Sequence, residues 1–411
     1  MEGTFTIATL SKKLIKASIF VLILLAVIAP ALKPTVQTVE AAPENPSTPT
    51  APAGINSQSQ IDQDITANTS DIPLSDLAVN ELTFRTRNLY VPMAVQGYQP
   101  FTRQGPVLLG IYSQGWPGQQ TTMDNEFHAL DDWAGKRLSI AGTFINIEDV
   151  NPDANVRGQL TTIWKNGYTP FVNLDTKGSA YDIASGSLDS QLRVWAKAYA
   201  SYAKGGERSA FIAPLQEMNG YWVSYGLNPT NFKLAYQRIQ DIFAQEGVPG
   251  KSVKWVFAPN GWSRPQDAPF EDYYPGDKRV DVVSFSGYNF GLAPGMRGAE
   301  WQPPDEVFGE YIRRFQKLAP TKPLFIAQTG TTPYYYSGIS NEAKDEWIRE
   351  AYDYLANFNN VRAVIYFNLI NDQGYLWPFY QPNGARYQGY RDAVKDSDFA
   401  YLTPAEVKQG F

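Results

Sequence analysis

The chain has 411 residues, a net charge of −6, 14% aromatic residues, one histidine and no cysteine. That length carries one large domain plus appendages. An acidic chain without a basic run argues against nucleic acid as a partner, and the lack of cysteine excludes disulfides, thiolate metal sites and a cysteine nucleophile.

Lys12, Lys13 and Lys16 precede an uncharged run over residues 17–32. The run is shorter than the roughly 20 apolar residues of a spanning helix, and a basic start before a short apolar core reads as a secretory signal. Val39-Glu40-Ala41 and Ala29-Pro30-Ala31 offer small residues for cleavage. The long spacer to Ala41 leaves an uncleaved membrane anchor as the alternative. Residues 1–41 are thus a signal peptide or a membrane tether, and a secreted or extracytoplasmic location is expected. Residues 42–70, rich in Pro, Thr, Ser, Asn and Gln, bury too little surface to offset the entropy of ordering and read as a disordered linker. Residues 71–105 form a lead-in, with short strands expected at 82–84 and 89–91.

From residue 106 to the end, strand-like and helix-like segments alternate. Strands are expected at 107–112, 138–147, 169–174, 211–215, 253–258, 280–285, 323–327 and 361–367. Helices are expected at 188–204, 231–246, 305–318 and 342–358. His128 lies in an amphipathic helical pattern over 125–133 and reads as a packed or surface side chain. Eight such units define an α/β chain folded as a (β/α)8 TIM barrel. A doubly wound sheet is the alternative, but Gly110-Ile111-Tyr112-Ser113-Gln114-Gly115 is not the glycine-rich phosphate turn that fold carries.

In such barrels the site lies at the C-terminal ends of the strands. Those ends carry Tyr112 and Trp116; Asn146 and Glu148; Asp175; Gln216, Glu217, Asn219 and Trp222; Asn260 and Trp262; Ser286, Tyr288 and Asn289; Gln328; and Asn368, Asn371, Asp372 and Trp377. Amides that bind hydroxyls and rings that stack on pyranose faces, collected on one rim, suit a polysaccharide or oligosaccharide. The central stretch runs from Phe211 to Trp222: a buried apolar strand, then the carboxyl of Glu217, then an indole. No cofactor is expected. No metal constellation stands out, since Asp175 and Asp277 lack regularly spaced partner ligands.

Gln216-Glu217-Met218-Asn219-Gly220 followed by Trp222 resembles the acid/base motif of glycoside hydrolase family 26, the β-mannanases and their relatives. Lys254 through Asn260 is similar to that family's fifth strand. Val280-Asp281-Val282-Val283 with Gly287-Tyr288-Asn289 is similar to its sixth, and Lys322 through Gly330 to its nucleophile strand. The resemblance implies a glycosidase acting on a β-linked, mannan-like polysaccharide. By the resemblance Glu217 would be its general acid/base and Tyr288 would contact the nucleophile; among the strand-end residues, Trp116, Gln216, Asn219, Trp222, Tyr288 and Trp377 are expected to bind substrate.

Two departures bear on chemistry. The family has histidine where Gln216 stands, and glutamate at the nucleophile position, where this chain has Gln328. A retaining glycosidase needs two carboxyl groups about 5–5.5 Å apart, and an amide is a poor nucleophile. Three accounts follow: a catalytically inactive carbohydrate-binding protein; an enzyme with a substitute, either Asp372 or Glu148 activating water or a substrate acetamido group; or a deliberate exchange of glutamate for glutamine. Losing the like charge at position 328 is also expected to lower the pKa of Glu217 and weaken it as an acid.

Overall fold

The computed structural model describes residues 105–149, 151–296, 299–370 and 374–411. The expected signal segment, the linker and nearly all of the lead-in lie outside the described residues, as do Asn371 and Asp372.

Eight parallel strands close a barrel: β1 (Leu108–Tyr112), β2 (Ile140–Asn146), β3 (Thr169–Asp175), β4 (Ala210–Pro214), β5 (Val253–Phe257), β6 (Val282–Asn289), β7 (Leu324–Thr331) and β10 (Val361–Phe367). Between the last two lies a small antiparallel ribbon of β8 (Tyr334–Tyr335) and β9 (Gly338–Ile339). The barrel order is β1-β10-β7-β6-β5-β4-β3-β2, so each strand lies beside its sequence neighbour and β10 closes on β1. These segments are apolar almost without interruption because a parallel strand in a barrel is buried on both faces. Every residue of β1, β4, β7 and β10 is buried.

The outer helices form where amphipathic runs meet good caps. Pro229 opens helix Pro229–Gln245 behind the Asn228 side chain, which accepts from Asn231 N, and Ser340 caps helix Asn341–Ala356 in the same way. Helix Asp189–Ala203 buries Leu192, Trp195, Ala196, Tyr199 and Tyr202, one stripe at helical spacing. Around His128 the helix is wide, a π-turn over Met123–His128 running into helix Ala129–Ala134, and the imidazole stacks on Tyr168 at 5.7 Å.

The lumen is filled by Leu108, Ile140, Phe171, Phe211, Val256, Val282 and Phe325. The C-terminal Phe411 plugs its lower end, edge-on to Phe211 and Phe325 at 5.4 Å each, with the Arg362 guanidinium 4.5 Å from its ring. Ligand access is therefore from the opposite rim, where the strands end.

Strands β6 and β7 run four residues further than the sequence pattern indicates, because each pairs with the other out to Asn289 and Thr331. Tyr288 and Gln328 accordingly sit within strands, not in the loops after them. The pairing slips between Phe285↔Ile326 and Ser286↔Gln328, and β10 slips against the same stretch between Val364↔Ile326 and Tyr366↔Thr329. One extra residue in β7 at Ala327–Gln328 accounts for both slips. Such a bulge re-aims the side chain beside it.

Candidate active site

Glu217 stands three residues beyond β4 on a strained backbone. Leu215 and Glu217 both have left-handed φ, +54° and +57°, with Gln216 between them. Each such residue costs about 1–2 kcal/mol and persists only where the surroundings impose it. Here Leu215 N donates to Leu174 O at 2.9 Å and Glu217 N to Ala258 O at 2.7 Å, so the segment is stitched to both neighbouring strands. The result is a carboxyl aimed inward at the rim and 2% exposed.

One oxygen of that carboxyl, Oε2, accepts from Trp222 Nε1 at 2.8 Å. The other, Oε1, is buried and has no hydrogen-bond partner. The Ser286 and Asn260 side chains stand near the carboxyl and favour its charged form, as does Trp222, but burial outweighs them and raises the pKa above the ordinary glutamate value. This upward shift is relative to a free glutamate, whereas the lowering expected from the missing charge is relative to a glutamate at position 328, so the two do not conflict.

A second carboxyl lies close by. Asp175, the last residue of β3, accepts from Tyr225 Oη at 3.1 Å. Burial pushes its pKa up to about 7, and the charge on Glu217 adds to the rise. Asp175 was visible in the sequence as a strand-end acid, yet nothing linked it to Glu217, 42 residues away. Glu148 is committed elsewhere: its carboxylate accepts from Thr176 Oγ1 at 2.5 Å and from Lys177 N.

Gln328 is held at both ends. Its Oε1 accepts from Tyr288 Oη at 2.9 Å, and its Nε2 donates to Gln216 Oε1 at 2.8 Å. Gln216 and Gln328 thus form one hydrogen-bonded amide pair. Tyr288 keeps its proton because burial raises its pKa far above the usual tyrosine value. Below this layer Tyr112 donates to Ala327 O at 3.1 Å and accepts from Asn173 Nδ2 at 2.9 Å. Its ring lies flat over Gly142, where a Cβ would come within 2.5 Å of it. The Asn173 carbonyl oxygen, like Glu217 Oε1, is buried without a partner. Unpaired buried acceptors are rare and mark places where a ligand or water completes the bonding.

The remaining predicted residues are placed differently from one another. Trp116 is 43% exposed, with its indole N–H donated to Gln159 at 2.8 Å. Asn219 is buried and its amide is spent on protein: Nδ2 faces Asn260 O at 2.9 Å, Trp262 O at 3.2 Å and Ser263 Oγ at 2.7 Å, while Oδ1 accepts from Asn260 N at 2.8 Å. It ties the loop after β5 to the acid's own loop. Trp222 is 7% exposed and lies against Trp262. Trp377 is 1% exposed and packs on Tyr288 at 5.1 Å, supporting the rim from beneath. No group of three or more potential metal ligands occurs among the described residues.

The closed (β/α)8 barrel thus brings a buried glutamic acid and a tyrosine–amide pair to its C-terminal rim. Comparison with known proteins shows what this arrangement is similar to. The model of glycosyl hydrolase family 26 matches residues 144–296, a stretch that holds Glu217 and Tyr288 and ends before Gln328. Endoglucanase H of Acetivibrio thermocellus is 28% identical over 275 residues, 63% of this chain. The match spans only 28% of that protein's length. The catalytic domain of the Bacillus sp. JAMB-750 GH26 endo-β-1,4-mannanase superposes with a TM-score of 0.52 at 14% identity, covering 74% of this chain and 89% of that one. A modular endo-β-1,4-mannanase from Cellulomonas fimi gives 0.52 at 15% identity, covering 73% and 74%. At such identities the structures attest the fold alone. Over residues 144–296 the chain is therefore similar to glycosyl hydrolase family 26.

Proposed function

We propose that this chain binds a β-linked glycan across Glu217 at the barrel rim and does not hydrolyse it by double displacement. The observation that carries the reading is the state of Gln328. At the position that the family resemblance assigns to the nucleophile stands an amide whose oxygen accepts from Tyr288 and whose nitrogen donates to Gln216. A carboxylate there would attack the anomeric carbon and steady its developing charge, and a neutral amide held in this way does neither. Loss of a group worth a thousandfold in rate corresponds to about 4 kcal/mol of transition-state stabilisation. The unpaired Glu217 Oε1 supplies an acceptor for a sugar hydroxyl. The β-1,4-mannanase and endoglucanase names of its relatives make β-1,4-linked mannan and glucan the first glycans to try.

One observation favours a second reading, hydrolysis by single displacement. Asp175 and Glu217 are two carboxyls close enough for the charge on one to raise the pKa of the other. In that scheme a water oxygen bonds to the anomeric carbon while Asp175 takes its proton. The glycosidic bond breaks as Glu217 protonates the departing oxygen.

The test uses the full chain, Gln328→Glu, Glu217→Gln and Asp175→Asn with β-mannan and β-glucan, following both binding and release of reducing ends. The native chain is expected to bind without release, and Gln328→Glu to gain an activity that Glu217→Gln abolishes. Release by the native chain that stops in Glu217→Gln overturns the binding reading. If Asp175→Asn stops it too, single displacement is the mechanism.

A further inference from the structure

The aromatic that sequence places next to the acid is Trp222, yet it has little surface to offer. It is 7% exposed, its N–H is given to Glu217, and Trp262 lies along it with ring centroids 6.2 Å apart and planes 24° from parallel. The indole that faces solvent is Trp262, 50% exposed, and beside it Tyr221 is 42% exposed with its ring edge-on at 6.5 Å. We propose that Trp262 forms a stacking platform for a pyranose of a β-linked glycan beside Glu217, with Tyr221 standing edge-on as its wall. This inference rests on the glycan-binding reading above and adds to it where, and by which rings, the glycan beside the acid is held.

Single exposed aromatics are ordinary on protein surfaces and need no function. Three features set this pair apart. It is continuous with the acid, since Trp262 touches Trp222 and Trp222 bonds Glu217. It is rigid, since the Asn219 amide lies in hydrogen-bond contact with the backbone carbonyls of Asn260 and Trp262 and the Ser263 hydroxyl, in the loop that carries the exposed indole. Its far side is fixed by a cation: the Arg264 guanidinium lies 4.7 Å from the Tyr221 ring and is itself held by two hydrogen bonds to Asp267, at 2.8 and 2.9 Å. A pre-ordered ring loses little conformational entropy when a ligand docks, so its contact area converts to affinity efficiently. Ring faces suit the C–H face of a pyranose, and Arg264, half-exposed at the edge, suits the hydroxyls around it. A flexible or isolated indole would not carry this argument.

The experiment titrates the full chain with β-1,4-linked manno- and gluco-oligosaccharides from disaccharide to hexasaccharide, by calorimetry and tryptophan fluorescence. The variants are Trp262→Ala, Trp262→Phe and Tyr221→Ala. Trp262 is exposed, so its removal empties no core, and circular dichroism with an unfolding midpoint confirms that each variant is folded. Trp262→Ala is expected to lose about tenfold in affinity for the longer oligosaccharides and little for the shortest that binds, with Trp262→Phe recovering most of the loss. Equal affinity of native and Trp262→Ala protein across the whole series overturns the platform while leaving glycan binding at Glu217 intact. If native protein binds none of the series, both readings fall together.

Discussion

Replacing Asn219 with alanine separates two roles that the sequence does not distinguish, a sugar ligand and a loop anchor. The side chain is 1% exposed and has one acceptor contact, from Asn260 N, and three donor contacts, to Asn260 O, Trp262 O and Ser263 Oγ. An amide nitrogen has two hydrogens, so no more than two of those donor contacts are good at once. That leaves three hydrogen bonds at about 1 kcal/mol each, so Asn219→Ala should destabilise the protein by about 3 kcal/mol, within a range of about 2–4. The thermal midpoint should fall by roughly 6 °C or more. Glycan affinity should fall as well, through the loosened Trp262 loop. In a double-mutant cycle Asn219→Ala and Trp262→Ala should therefore be non-additive, the second loss vanishing once the first is made. Urea unfolding and calorimetry on the two single variants and the double variant measure both quantities. Full additivity in affinity, or lost affinity without lost stability, would refute the anchoring argument and return Asn219 to the sugar.

Further expectations concern charge. Folded Asp175 keeps its proton up to about pH 7, while the unfolded chain releases it near 3.8. Between those values the native state binds more protons, so stability falls as pH rises through the window. Asp175→Asn should flatten that slope and make the protein more stable than native above pH 7, as read by urea midpoints at pH 4.5 and 8; an unchanged slope counts against a protonated Asp175. The raised pKa values of Glu217 and Asp131 act in the same direction and remain in the variant, so only the difference between the two proteins is diagnostic. Lys344 is wholly buried; its ammonium donates to the carbonyls of Leu376, Trp377 and Pro378 and lies 4.7 Å from the Tyr387 ring. Lys344→Met strips those carbonyls of their donor and should cost about 2–4 kcal/mol, loosening the segment that seats Trp377 under Tyr288. An unfolding midpoint equal to that of native protein would show that the lysine contributes nothing there.

Local pattern was enough for the architecture and for the first acid. Eight apolar runs that alternate with amphipathic ones specify buried parallel strands and outer helices, because a strand covered on both faces has no polar positions to spare. Glu217 was legible for a related reason: a lone carboxylate at the end of an uncharged strand belongs at a barrel's rim. What sequence could not supply lies in contacts between distant residues. Strands β6 and β7 lengthen because each finds the other, and the bulge at Ala327–Gln328 exists only in that pairing. Asp175 and Glu217 share a low-dielectric mouth that neither segment creates alone, so the upward shift of both acids is a tertiary property. Likewise Asn219 and Trp222 look like ligand groups in a linear reading. They turn inward because the loop after β5 folds over them, takes up the amide and leaves Trp262 as the ring that meets solvent.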